Sequence, residues 1–205
     1  MPTTAYSRPL NIWLCLGLPL IMMVLLLVLP TEGVDFAITE YFYTPGVGFA
    51  GKHSYLLETI LHDRAKQAVI LLGVLALVGF LASFFYRPWR WLRLPLGYLV
   101  LSVSLSSSVV TPLKVVTGVH CPWDLTEFGG SETYTPLLST RAPTKHPGKC
   151  WPGGHASSGF IFFALFFVLR DRRPRLAKAA LVFALALGSL LSIGRIMQGA
   201  HFLSH

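Results

Sequence analysis

Three short stretches of this chain hold the residues on which chemistry would rest. They are Lys114-Val-Val-Thr-Gly-Val-His-Cys-Pro122, Pro152-Gly-Gly-His155 and Gly194-Arg-Ile-Met-Gln-Gly-Ala-His201. Each holds a histidine, two of them with a lysine or arginine as well, and two carry adjacent glycine. Cations grip an anion, arginine with a fixed fork of donors. Glycines let backbone N–H groups approach it closely, and an imidazole titrating near neutrality can act as nucleophile or proton donor. Taken singly, each residue has a plain alternative: a cation snorkelling from a helix end, a turn, an interfacial histidine. Their joint spacing has no such explanation.

The elements that must position these residues are apolar. The 205 residues are 53% hydrophobic and 13% charged, against roughly 25% charged in soluble domains. Uncharged blocks cover about residues 11–30, 67–86 and 94–113, and shorter ones lie at 155–170 and 178–194. A run of about 20 apolar residues crosses a bilayer as a helix, so the sequence predicts an all-α, polytopic membrane bundle forming a single domain over 1–205. Ala200-His-Phe-Leu-Ser-His205 reads as the opening of a sixth span near residue 200 that the sequence truncates. The first block lacks a cleavage signal after Pro30 and has only Arg8 ahead of it, so it reads as an uncleaved anchor. All three chemical stretches then fall at span ends on one side, where a charge beside hydrocarbon usually has a specific role.

The net charge of +8 does not call for nucleic acid. Arg87, Arg90 and Arg93 lie between the second and third blocks, and Arg170, Arg172, Arg173, Arg175 and Lys178 between the fourth and fifth. With Arg8 they mark the cytoplasmic side, which leaves 31–66 and 114–154 as outer loops. In the first, Val34–Tyr43 and Ser54–Ala65 have amphipathic patterns suited to helices lying along the membrane surface. The second is long for a connection and rich in tryptophan and cysteine, a composition unlike disorder. No pair of interrupted spans suggests a transporter.

Cys15 sits in the first apolar block and reads as a small buried hydrophobe. Cys121 and Cys150 share the second outer loop. A zinc site with His120 and His146 is the rival reading, but neither cysteine has metal-ligand spacing, so a Cys121–Cys150 disulfide is expected. Closing about 30 residues would stabilise the fold by on the order of 3–4 kcal/mol.

The three stretches resemble the type 2 phosphatidic acid phosphatase family. Its pattern is Lys-x6-Arg-Pro, then Pro-Ser-Gly-His, then Ser-Arg-x5-His-x3-Asp, and it is matched at Lys114, Pro122, Pro152, Gly154, His155, Arg195 and His201. The resemblance implies a six-span bundle in a bacterial inner membrane with its active site facing the periplasm. It implies a lipid phosphate substrate of the phosphatidate, phosphatidylglycerophosphate, undecaprenyl pyrophosphate or lipid A type. Lys114 and Arg195 would hold the phosphate oxygens, with backbone N–H groups at Gly153 and Gly154. His201 would attack phosphorus to give a phosphohistidine, and His155 would protonate the leaving oxygen. The cations come from the protein, so neither metal nor cofactor is implied; membrane lipids surround the chain and no obligate protein partner is indicated. Four positions depart from the pattern. Cys121 replaces an arginine, for which His120, Arg141, Lys145 or Lys149 could substitute. Gly153 and Gly194 replace serines. His205 replaces the aspartate that would orient the nucleophile, a role in which a neutral imidazole can only accept a hydrogen bond. The same cluster would serve a lipid-to-lipid phosphotransferase, or a non-catalytic protein binding phospholipid headgroups.

Overall fold

A computed structural model describes residues 9–141, 144 and 146–205. The chain is mostly helical: α1 Trp13–Val28, α2 Glu32–Glu40, α3 Leu56–Phe85, α4 Arg93–Thr117, α5 Gly154–Leu169 and α6 Pro174–Met197. The strands β1 Tyr43–Thr44 and β2 Gly48–Phe49 form a small antiparallel hairpin after α2. Among the described residues three helices are long and apolar enough to cross a membrane: α3, the stretch containing α4, and α6. The count rises to four if α1 and α2, bent by 86° at their junction, form one broken span. Helix α5 is apolar but shorter.

The expected spans at 11–30, 67–86, 94–113, 155–170 and 178–194 all coincide with helices, with two corrections. Ser54–Ala65 does not form a separate surface helix. From Leu56 it runs unbroken into the second span, first as a π-helical stretch and then as α-helix, because no glycine or proline separates the two. Nor do the residues after α6 begin a helix. The chain turns at Gly199, and Ala200–His205 is coil and turn folded back beneath the site.

Packing differs along the bundle. No residue of α1 or α4 is buried, and among the residues of α3 whose burial is described only Ser83 is; these surfaces suit lipid, where apolar side chains need no cover. Helix α6 is central and buries Ala177, Ala184, Gly188, Leu191, Gly194 and Ile196. It crosses α5 closely enough that a Cβ on Gly159 would lie 2.6 Å from the Gly188 Cα. Such small-residue crossings let helix backbones approach where there is little hydrophobic drive to associate.

At one end of the bundle the loops build a core of their own. Phe49, Leu125, Phe128 and Phe202 are buried together, with Phe36, Tyr43 and Tyr134 packed against them. Phe36 lies 5.4–5.5 Å from Phe202 and Phe128 and 5.2 Å from Tyr134, distances at which aromatic pairs add to simple burial. Cys121 and Cys150 form the expected disulfide, with Cα atoms 5.3 Å apart. At the other end the arginines cluster. Arg93 donates to the Ser83 carbonyl at 2.8 and 2.9 Å and lies over the Phe84 ring, tying the start of α4 to the end of α3.

Candidate active site

Lys114 occupies the last turn of α4, His155 the first turn of α5 and Arg195 the last turn of α6. His201 follows in the turned-back segment. These ends lie together under the aromatic cap. His201 is 6% exposed. Burial, and then the positive potential of His205, Lys114, Arg195 and His155, hold its imidazole well below its ordinary pKa of 6.5. Lys114 packs against Gly154, next to His155, and His155 and Arg195 line one small cavity, so the three stretches converge. An imidazole kept neutral has a lone pair to offer, as a nucleophile requires. Its Nδ1 is buried without a hydrogen-bond partner among the described residues.

The two cations are set differently. Arg195 donates from Nη1 to Gln198 Oε1 at 2.9 Å, and its guanidinium stands 5.6 Å from the centre of the Trp123 ring. Trp123 is itself fixed by its N–H to the Gly199 carbonyl at 2.9 Å. The Arg195 Nε is buried without a hydrogen-bond partner among the described residues, a donor in reserve. Lys114 lies across the start of α5, where a Cβ on Gly154 would meet Lys114 Cε at 3.3 Å and Nζ at 3.5 Å. Gly154 therefore makes room for the ammonium, which adds to the positive end of that helix. Gly153 serves another purpose. Its N–H donates to the His205 carbonyl at 2.7 Å, so it locks the last residues to α5 and is not available to an anion.

His205 also departs from the role its position suggested. Its Nδ1 accepts from the Phe202 N–H at 3.3 Å, so in the neutral ring the proton is on Nε2, which can only donate. Its ring centre stands 5.9 Å from that of His201. Burial, with Lys114 and Arg141 adding to it, pushes its pKa down to about 3.

The candidates for the missing arginine are placed as follows. His120 Nε2 lies 3.6 Å from Glu132 Oε2. Arg141 lines a cavity of about 40 Å³ with His205 and Tyr134. Its guanidinium donates to the carbonyls of Leu137 and Pro136 at 3.1 Å and Thr135 at 3.4 Å, so it braces its own loop. Lys149 is exposed, and Lys145 lies outside the described residues. Among the described residues no three His, Cys, Asp or Glu side chains are grouped as metal ligands.

Sequence reasoning missed Asp35. This residue of α2 is 2% exposed and accepts from the Ser204 N–H at 3.0 Å and from its hydroxyl at 2.5 Å. It thereby anchors the segment bearing His201 from the far end of the chain, and no local pattern announces such a pairing. A second feature joins the site to the membrane face. A groove of about 530 Å³ runs between α3, α4 and α5, with Lys114, Gly154 and His155 at one end and Val69, Val74, Leu77 and Val103 along it.

No curated protein and no solved structure matches this chain. The model of the PAP2 superfamily matches residues 95–205, more than half of the chain and all three of the stretches that converge here, and the chain belongs to that family.

Proposed function

We propose that this protein is a membrane phosphatase that removes phosphate from a lipid through a phosphohistidine. The observation that carries the reading is the meeting of Lys114 and His155 at the end of a largely apolar groove, with Arg195 sharing a small cavity with His155 and the buried His201 feeling the charge of all three. Phosphate oxygens sit between Lys114 and Arg195, whose charges offset those of a phosphate monoester. A neutral imidazole nitrogen of His201 attacks phosphorus, and the P–O bond to the lipid breaks. The leaving oxygen takes a proton from His155, so the lipid departs as an alcohol. Water then attacks the phosphohistidine, His155 takes its proton, and inorganic phosphate leaves with His201 restored. Charge stabilisation comes from side chains already in place.

The site end is read as periplasmic and the arginine-rich end as cytoplasmic in a bacterial inner membrane, on the distribution of Lys and Arg between the two ends. All five apolar helices are read as crossings of the family's six-span plan, α5 included, since it runs between the site and Arg170.

The test is phosphate release by the purified protein from a panel of lipid phosphates, with His201→Ala beside it. Turnover that falls by on the order of 10⁴-fold or more in the variant, together with an acid-labile phosphoenzyme seen only in the parent protein, is expected. Equal turnover by both proteins would refute the assignment.

A further inference from the structure

At the arginine-rich end, away from the histidines, a cavity of about 320 Å³ opens between the start of α1, the end of α5 and the first turn of α6. Its polar lining is Arg170, Lys178 and Asn11, and the rest is apolar: Leu10, Cys15 and Phe166, with proline and alanine. No carboxylate among the described residues lines it. Its volume falls within the range of small-ligand sites, about 300–1,000 Å³. Phe166 and Cys15 lie one turn inward from Arg170 and Asn11, roughly 6 Å along their helices, so the cavity offers charge and hydrocarbon side by side.

Cations in or beside a loop orient a membrane chain, and the exposed Arg172, Arg173 and Arg175 supply that. Lys178 goes beyond it. It stands one turn inside α6 and lines the cavity, and a charge beside hydrocarbon usually has a specific role. Arg170 is partly engaged, its Nε donating to Asp171 Oδ1 at 3.2 Å. Asp171 is the only acid in a turn that also holds Arg170, Arg172, Arg173, Arg175 and Lys178. Residues 1–8 bring Arg8 and no acid, so they offer the cavity no counter-charge. At a membrane surface, the anion that also carries hydrocarbon is a phospholipid.

We propose that this cavity binds an anionic phospholipid of the leaflet at the arginine-rich end. Its phosphate lies at Lys178 and Arg170, and its chains run inward past Cys15 and Phe166. A lipid there bridges α1, none of whose residues is buried, to the turn between α5 and α6. The site shares no residue with the groove that ends at His155, and it stands whether or not the phosphatase reading does.

Cys15 lines the cavity and is the free cysteine of the described chain, so its reactivity reports occupancy. The full chain, delipidated in detergent micelles, is treated with N-ethylmaleimide in the presence of phosphatidylglycerol, phosphatidylcholine of the same chain length, or inorganic phosphate. With phosphatidylglycerol at ten times its dissociation constant, modification of Cys15 should slow by about tenfold. Phosphatidylcholine and inorganic phosphate should leave the rate nearly unchanged. Lys178→Gln should abolish the protection, while Lys178→Arg, which keeps the charge, and Arg172→Gln, outside the cavity, should preserve it. Lys114→Ala, at the histidine end, should preserve it too, which separates this site from the groove. Equal protection by phosphatidylcholine would mean that hydrocarbon alone fills the cavity, and equal protection by inorganic phosphate that it takes a soluble anion; either overturns the inference. So would protection that survives Lys178→Gln or is lost in Lys114→Ala. No protection at all, as when another part of the chain or a second copy fills the cavity, would overturn it as well. Should Lys178→Gln not fold, the contrast between the two phospholipids in the parent protein still decides.

Discussion

Around His201 the chain is knit together across long distances in sequence, whereas along α3 and α4 almost every side chain faces outward. Asp35 holds Ser204, Trp123 holds Gly199, Gly51 donates to the Met197 carbonyl and Gly153 to that of His205. A disulfide and an aromatic core complete this cap. The spans have little of the kind: Ser102 bonds back within its own helix, and the contacts that join them are mostly apolar or glycine-mediated. A cap facing water can use hydrophobic burial to fix its shape; a helix in lipid cannot, and is held by backbone hydrogen bonds and close packing. Placing the histidines where the cap meets the spans buries His201, while the groove would give the proposed lipid substrate a way to His155. The comparison predicts that chemistry and stability should both be sensitive to the cap and tolerant of the lipid-facing helices.

After His201, the largest effect should come from His155, which stands at the end of the groove. His155→Ala removes the proposed proton donor, so an alkyl phosphate with a poor leaving group should lose about 10²–10⁴-fold in turnover. An aryl phosphate or a pyrophosphate, whose leaving group departs readily as an anion, should retain more. Equal losses on the two substrate types would show that His155 acts only by shaping the site. That outcome would move it from the chemistry to the scaffold.

Reduction of Cys121–Cys150 probes the scaffold itself. The bridge spans 29 residues and is worth about 3 kcal/mol in the chain-entropy account, so reduction, or the paired change to serine, should lower the midpoint of thermal inactivation by about 10 °C. Cys15 lies exposed on α1, and Cys15→Ser should shift stability by no more than about 0.5 kcal/mol. Similar shifts for both would erase the distinction between cap and spans.

This division also explains what could be read from the sequence. The helices were legible because uninterrupted apolar runs leave a lipid-crossing chain few alternatives. The stretches around Lys114, His155, Arg195 and His201 were legible because each holds charge or imidazole beside hydrocarbon, and the disulfide because both cysteines share one outer loop. The start of α3 was not, since Glu58, Asp63 and Arg64 give the first turns of that helix the look of a surface segment. Neither was the structural use of Arg141, whose acceptors are carbonyls of its own loop, nor that of His205, whose ring bonds the backbone of Phe202. Backbone acceptors leave no trace in residue types. Asp35 and Ser204 are 169 positions apart, and one chain alone cannot reveal that they meet.

Acid should expose the buried imidazoles of the cap. Both His201 and His205 are held below the ordinary value of 6.5, the latter at about 3. Between those values the unfolded chain binds protons that the folded one refuses, so this contribution to stability is complete above about pH 6.5 and is lost as the pH falls. For His205 alone the loss at pH 5 is about 2 kcal/mol. Thermal denaturation followed from pH 7.5 to 5 should therefore show a falling midpoint, and His205→Gln should flatten the fall. A midpoint indifferent to pH in this range would mean that the imidazoles are hydrated and the cap is looser than described.

The smallest effect, and the sharpest comparison, comes from single polar groups in the two regions. Asp35 accepts two hydrogen bonds from Ser204, while the Ser102 hydroxyl donates to Tyr98 within its own helix. Asp35→Asn keeps one carbonyl oxygen as acceptor, and the Ser204 hydroxyl can rotate to accept from the new amide, so the cost should be about 1 kcal/mol. Asp35→Ala leaves the Ser204 N–H buried and unpaired, at about 1–3 kcal/mol. Ser102→Ala removes a bond whose acceptor is already paired within the helix and should cost less than about 0.5 kcal/mol. Kinetics separate anchoring from mere stability. Ser204 lies between His201 and His205, and Asp35 is bonded to Ser204 and lines no part of the groove that ends at Lys114, one of the proposed phosphate ligands. Loss of Asp35 should therefore lower kcat, through a displaced nucleophile, and leave KM nearly unchanged. A rise in KM with kcat preserved would show that α2 shapes substrate binding instead. Equal effects from Asp35→Ala and Ser102→Ala would mean that bonds spanning the whole chain hold this site no more firmly than bonds within one turn.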